Sequence, residues 1–128
     1  MATDPAFAST PRLSFAQVST ANTNRDGTGT IVDVFLGATN GSRIDRLRIC
    51  ATGSTTAGVI RLYIDDNSNV RMFREVLVDA ITASATVAVW QTEIEFEGGL
   101  ILPDGDNDLQ ASTHIAEAFN IFAWGGDF

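Results

Sequence analysis

Three aspartates at alternate positions, Asp104, Asp106 and Asp108, fall within the stretch LPDGDNDLQAST at residues 102 to 113. Carboxylates at the first, third and fifth positions of a loop are how many calcium sites obtain their first oxygens. An EF-hand beginning at Asp104 needs glycine at its sixth position and glutamate at its twelfth, but this chain has Leu109 and Ile115 there. An irregular calcium loop and a hairpin turn both remain open. The turn is favoured, because Asp and Asn stabilise turns through side-chain to backbone hydrogen bonds. The three aspartates stay as weak calcium candidates, and no cofactor is otherwise expected.

Other reactive groups are sparse. Glu93, Glu95 and Glu97 hold the paired acids a glycosidase needs, yet at alternate positions of a strand they read as an ordinary wet face. His114 is the single histidine and Cys50 the single cysteine, so a zinc site of the usual kind cannot be assembled within one chain. No nucleophile elbow or phosphate-cradling glycine motif is present. A nucleophile, base and orienting group are not marked anywhere, which excludes any recognisable catalytic set and argues against an enzyme. Cys50 lies in an apolar run and reads as a small core residue, although its strand partners on the same face are arginines.

Charge narrows the partners. Sixteen acidic residues against eight basic ones give a net charge of -8, which disfavours binding to nucleic acid. All eight basic residues are arginine, whose rigid fork suits ordered ion pairs and stacked contacts at protein surfaces. No stretch approaches the roughly 18 apolar residues that a membrane-spanning helix needs, so no membrane partner is expected and the chain reads as soluble.

The elements that must position these residues are short and β-rich. MATDPAFASTPR, residues 1 to 12, lacks helical or strand periodicity and reads as an extended N-terminal arm with Phe7 as its one large apolar side chain. One domain, residues 13 to 128, follows. RLRICA (46 to 51) alternates Leu47, Ile49 and Ala51 with Arg46, Arg48 and Cys50. GVIRLYID (58 to 65) is expected to turn Ile60, Leu62 and Ile64 inward and Arg61 and Tyr63 outward, and to form a hairpin with VRMFREVLV (70 to 78) across DDNSN. WQTEIEF (90 to 96) alternates most clearly, while AFNIFAW (118 to 124) is apolar on both faces. TIVDVFLG, LILP and DLQAST supply further strands, and the β-branched residues of ITASATVAV (81 to 89) favour extended structure over helix. Seven or eight such runs predict an all-β chain: an antiparallel two-sheet β-sandwich of jelly-roll or Greek-key connectivity.

The phrases STANTNRDGTGTIVDVF, NGSRIDRLRICATGSTTAGVIRLYI and LPDGDNDLQASTHIAEAFNIFAWGGDF resemble a family of small proteins encoded among the head and tail structural genes of tailed bacteriophages and prophages. The resemblance covers nearly all of the chain after the arm. It implies a β-sandwich virion structural protein, a decoration (cement) protein on the capsid surface that binds the major capsid protein, often as a homotrimer. In that family the segment matching LPDGDND is a glycine-centred turn. Aromatic surface that a small monomer struggles to cover points to interfaces. The expected interface residues are Phe7, Arg46, Arg48, Arg61, Phe122, Trp124 and Phe128. A head-fibre or tail-fibre component that binds host glycan is the alternative, with Tyr63, Trp90 or Trp124 stacking on sugar rings.

Overall fold

A computed structural model describes residues 9–128. Eight strands account for its regular structure: β1 Thr10–Val18, β2 Val32–Leu36, β3 Ser42–Ala51, β4 Gly58–Asp65, β5 Val70–Val78, β6 Gln91–Leu102, β7 Asp108–Thr113 and β8 Phe119–Asp127. The pairing is nested. β4 pairs with β5, β3 with β6, β2 with β7 and β1 with β8, all antiparallel, so the chain is one long ribbon folded at the Asp66 to Asn69 turn. Successive segments of the ribbon go to opposite layers, giving one sheet of order β1-β8-β3-β6 and another of order β2-β7-β4-β5. Two such interlocked Greek keys make an eight-stranded jelly roll.

Period-two alternation drives the layers together. Leu47 and Ile49 from β3, Ile94 from β6 and Phe119, Ile121 and Ala123 from β8 form the inner face of the first sheet, against Ile60, Leu62, Leu109 and Ala111 of the second. Trp90, just before β6, meets Phe119 edge to face with ring centroids 6.0 Å apart. Close strand approach is secured at Gly125, where an added Cβ would run into the Arg43 carbonyl of β3. QTEIEF and LIL join into the single strand β6, which carries Gly98 and Gly99 at φ of 79° and 84°. Residues 81 to 89 are neither helix nor strand apart from one bridge at Ile81.

Two expectations are corrected here. Thr10, Pro11 and Arg12 belong to β1 and pair with Asp127, Gly126 and Gly125, so the arm ends earlier than residue 12. Arg12 points between the sheets, where its guanidinium stacks on the Phe35 ring at 3.8 Å and pairs with Asp127 at 2.9 Å. Phe7 lies outside the described residues.

The second correction concerns β4, which is covered on both faces. Arg61 is 1% exposed and Tyr63 is fully enclosed. The β1–β2 connection, residues 19 to 31, crosses the outer face of β4 and supplies the polar partners these two need. Arg61 donates to the Asn22 carbonyl at 2.9 Å, and the Tyr63 hydroxyl donates to the Asn24 carbonyl at 3.0 Å. Asn22 braces the connection by donating to the carbonyls of Thr28 and Thr30 at 2.9 and 3.0 Å. Gly29, at φ 86°, sits so near that an added Cβ would fall 2.7 Å from the Asn22 amide.

Candidate functional site

The outward rows of the β1-β8-β3-β6 sheet gather most of the residues that the sequence nominates for an interface. Cross-strand register sets them in lines: Leu13, Trp124, Arg46 and Glu95 in one row, Phe15, Phe122, Arg48 and Glu93 in the next, then Gln17, Asn120, Cys50 and Gln91. In the first two rows side chains grade from apolar on β1 and β8, through guanidinium on β3, to carboxylate on β6, while the third is polar. Leu13 and Phe15 are 48% and 66% exposed.

Contacts along the rows hold the side chains in place. Phe15 and Phe122 lie 5.9 Å apart between centroids, Phe122 and Trp124 6.3 Å, and the Arg46 guanidinium covers the Trp124 ring at 4.5 Å. Glu93 receives both arginines, Arg46 at 2.9 Å and Arg48 at 3.5 Å, and Arg48 also donates to Gln91. Such exposed pairs contribute little stability, on the order of 0 to 1 kcal/mol each. Their effect is to fix the shape and charge of the face. At the β3 bulge between Ile44 and Arg46, an open cleft is lined by Arg43, Asp45, Arg46, Glu95, Phe96 and Glu97, with Arg43 and Asp45 paired at 2.9 Å.

The remaining nominated residues sit elsewhere. Arg61 cannot reach a partner surface: it is buried beneath the 19 to 31 connection and bonded to Glu75 at 3.0 Å. Arg25, on that connection, reaches the same Glu75 oxygen at 2.9 Å. The hydrogen bond from Arg25, followed by the two positive charges, draws the Glu75 carboxyl below its usual range. Phe128 is tied to the β2–β3 turn through its N–H to the Gly41 carbonyl at 3.0 Å. Cys50 lies half-buried on the outer face and not in the core, its Sγ near the Ala51 carbonyl. Among the described residues the buried His114 Nδ1 has no hydrogen-bond partner.

The aspartate loop is a turn. Asp104 Oδ1 accepts the Asp106 N–H at 2.9 Å and the Asn107 amide at 2.8 Å, a side-chain-stabilised turn. Asp108 faces another way, accepting the Gly37 N–H at 3.0 Å. Among the described residues no three His, Cys, Asp or Glu side chains, Asp104, Asp106 and Asp108 included, are grouped to hold a metal. Burial, and then the charges of Asp33, Asp65 and Asp106 acting against the Gly37 bond, push the Asp108 carboxyl above its usual range.

No protein-family model matches the chain, and no curated protein matches it. Several solved structures match the chain at low identity and low TM-score. A pentameric capsid protein from metagenomic phage sequences is 12% identical over 90% of this chain and 60% of its own, with a TM-score of 0.40. The T13 particle of infectious bursal disease virus is 11% identical over 99% of this chain and 35% of its own, at 0.38. The catalytic domain of a GH87 alpha-1,3-glucanase is 11% identical over 94% of this chain and 27% of its own, at 0.41. The chain spans less than two-thirds of each of these proteins. Likenesses of this depth, divided between capsids and an enzyme, carry no function across.

Proposed function

We propose that the chain is a non-enzymatic structural protein of a virus particle, a decoration protein that sits on the lattice of the major capsid protein. The observation that carries this reading is the graded outer face of the β1-β8-β3-β6 sheet, whose exposed apolar rows continue into fixed arginines. An exposed surface of this kind suits a protein partner, with aromatic and arginine side chains as anchors, as assembly with other proteins in a particle requires. The resemblance of its phrases to small phage head and tail proteins supports a virus particle as the setting. Two of the acids nominated in the sequence are engaged otherwise, Glu93 by two arginines and Asp104 by its own turn.

The glycan-binding alternative loses two of its three stacking rings. Tyr63 is enclosed and Trp90 is core, leaving Trp124 partly roofed by Arg46. Quantitative mass spectrometry of purified particles tests the proposal through copies of this chain per copy of major capsid protein. A ratio near one, or a simple fraction of it, is expected for lattice decoration. A handful of copies per particle favours a fibre, and none overturns the virion role.

A further inference from the structure

We infer that the outer face of the β1-β8-β3-β6 sheet docks on the same face of a second copy of this chain, as a two-fold pair. This inference rests on the decoration reading for its biological setting and names the partner that covers that surface.

Three observations favour a second copy as occupant. The first is charge. Over the whole outer face Arg43, Arg46 and Arg48 stand against Asp45, Glu93, Glu95 and Glu97, a net of -1, so nearly all of the net charge of -8 is carried elsewhere, by five arginines against twelve acids. Two copies meeting through a surface that shares in this excess repel each other, whereas through this face they meet with little net repulsion. The second is area. Nine register rows at ~3.3 Å and four strands at ~4.8 Å give a face of roughly 30 Å by 19 Å, on the order of 570 Å² in projection. Relief from the side chains raises the accessible area above the projection, toward the ~800 Å² per partner of a standard stable interface. The third is rigidity. Phe15, Phe122, Trp124 and Arg46 form a continuous stacked series, so little side-chain freedom remains to be lost on docking.

Symmetry follows from the shape. The apolar residues lie on β1 and β8 at one side of a single face. Covering them with the same rows of another copy puts one patch against itself, which is an isologous contact, and an isologous contact closes as a two-fold pair. A trimer would need this face to meet a different surface of its neighbour. The pair leaves the β2-β7-β4-β5 side and the loops free for a capsid lattice.

The test is the mass of the full chain in solution over a concentration series, by light scattering and sedimentation equilibrium. The expected native species is twice the 13.7 kDa chain mass. Phe15→Glu is expected to raise the dissociation constant about thirtyfold or more, the scale of an interface anchor. Leu77→Glu, at a residue 69% exposed on β5 of the other sheet, is expected to leave it unchanged. Circular dichroism melts check folding, and Leu13→Lys replaces Phe15→Glu if the latter does not fold. A native chain that stays monomeric at all concentrations, a three-chain species, or a pair that survives both face variants overturns the inference. A monomer that still binds purified particles overturns the pair and leaves the decoration reading intact; a pair that binds no particle does the reverse.

Discussion

Arg61 and Glu75 stand opposite each other on β4 and β5, 3.0 Å apart, with the arginine enclosed and the glutamate at the boundary with water. Glu75 also takes Arg25 at 2.9 Å, so one carboxylate fastens the 19 to 31 connection to the sheet it crosses. Glu75→Gln is expected to destabilise the fold by about 2 kcal/mol, because a buried guanidinium loses its counter-charge while the partly wet site softens the loss. Urea unfolding measures it.

The two shifted carboxyls give opposite pH responses. Asp108 is raised, so the native state holds its proton to higher pH than the unfolded chain, and stability falls as pH rises from the ordinary aspartate range through the raised value. Asp108→Asn keeps an oxygen for the Gly37 N–H without the charge. It is expected to stabilise at pH 7, with the gain vanishing at pH values below the ordinary aspartate range. Glu75 is lowered, so its contribution is complete above the ordinary glutamate range and is lost as pH falls through the lowered value. Melting curves of native, Asp108→Asn and Glu75→Gln chains across pH separate the two.

Asp127 accepts from Arg12 at 2.9 Å and from the fully buried Ser42 hydroxyl at 2.7 Å, sealing the gap between the sheets where the core ends. Asp127→Ala leaves both donors without this acceptor, and a loss of about 2 to 3 kcal/mol is expected in denaturant titration.

Calcium is expected to leave the melting temperature unchanged. Asp104 is committed to its own turn and Asp108 to Gly37, so binding would first have to break these bonds. Calorimetry with calcium and with a chelator checks it, and any binding heat with a raised melting temperature would contradict the turn geometry.

Much of the fold could be read from alternation alone. Leu47 with Ile49, and Ile94 between Glu93 and Glu95, point as period two requires, and the 58 to 78 hairpin is where DDNSN places it. Alternation fails at Arg61 and Tyr63 because it assumes a wet outer face. The turn cluster NTNRDGTG looks like a solvated loop, yet its carbonyls are what those two side chains bind; the closely spaced Asn22, Gly27 and Gly29 were the available signal. Arg12 was hidden for a different reason. Pro11 breaks strand patterns in general but is tolerated on an edge strand, and β1 is an edge. The outer face was half legible: Phe122 and Trp124 announced it, while Leu13 and Phe15 joined them only through the register of β1 with β8.

The nested ribbon has a consequence for the order of assembly. Pairing near the Asp66 to Asn69 tip closes short loops, whereas Thr10 must find Asp127 across almost the whole chain, so zippering outward from the tip makes β1 the last strand added and the first to open. Amide exchange should accordingly be fastest along Thr10–Val18 and slowest in β3 and β4. Leu13 and Phe15 belong to that late strand, so a partner seated on them would also clamp the seam by which the roll is closed.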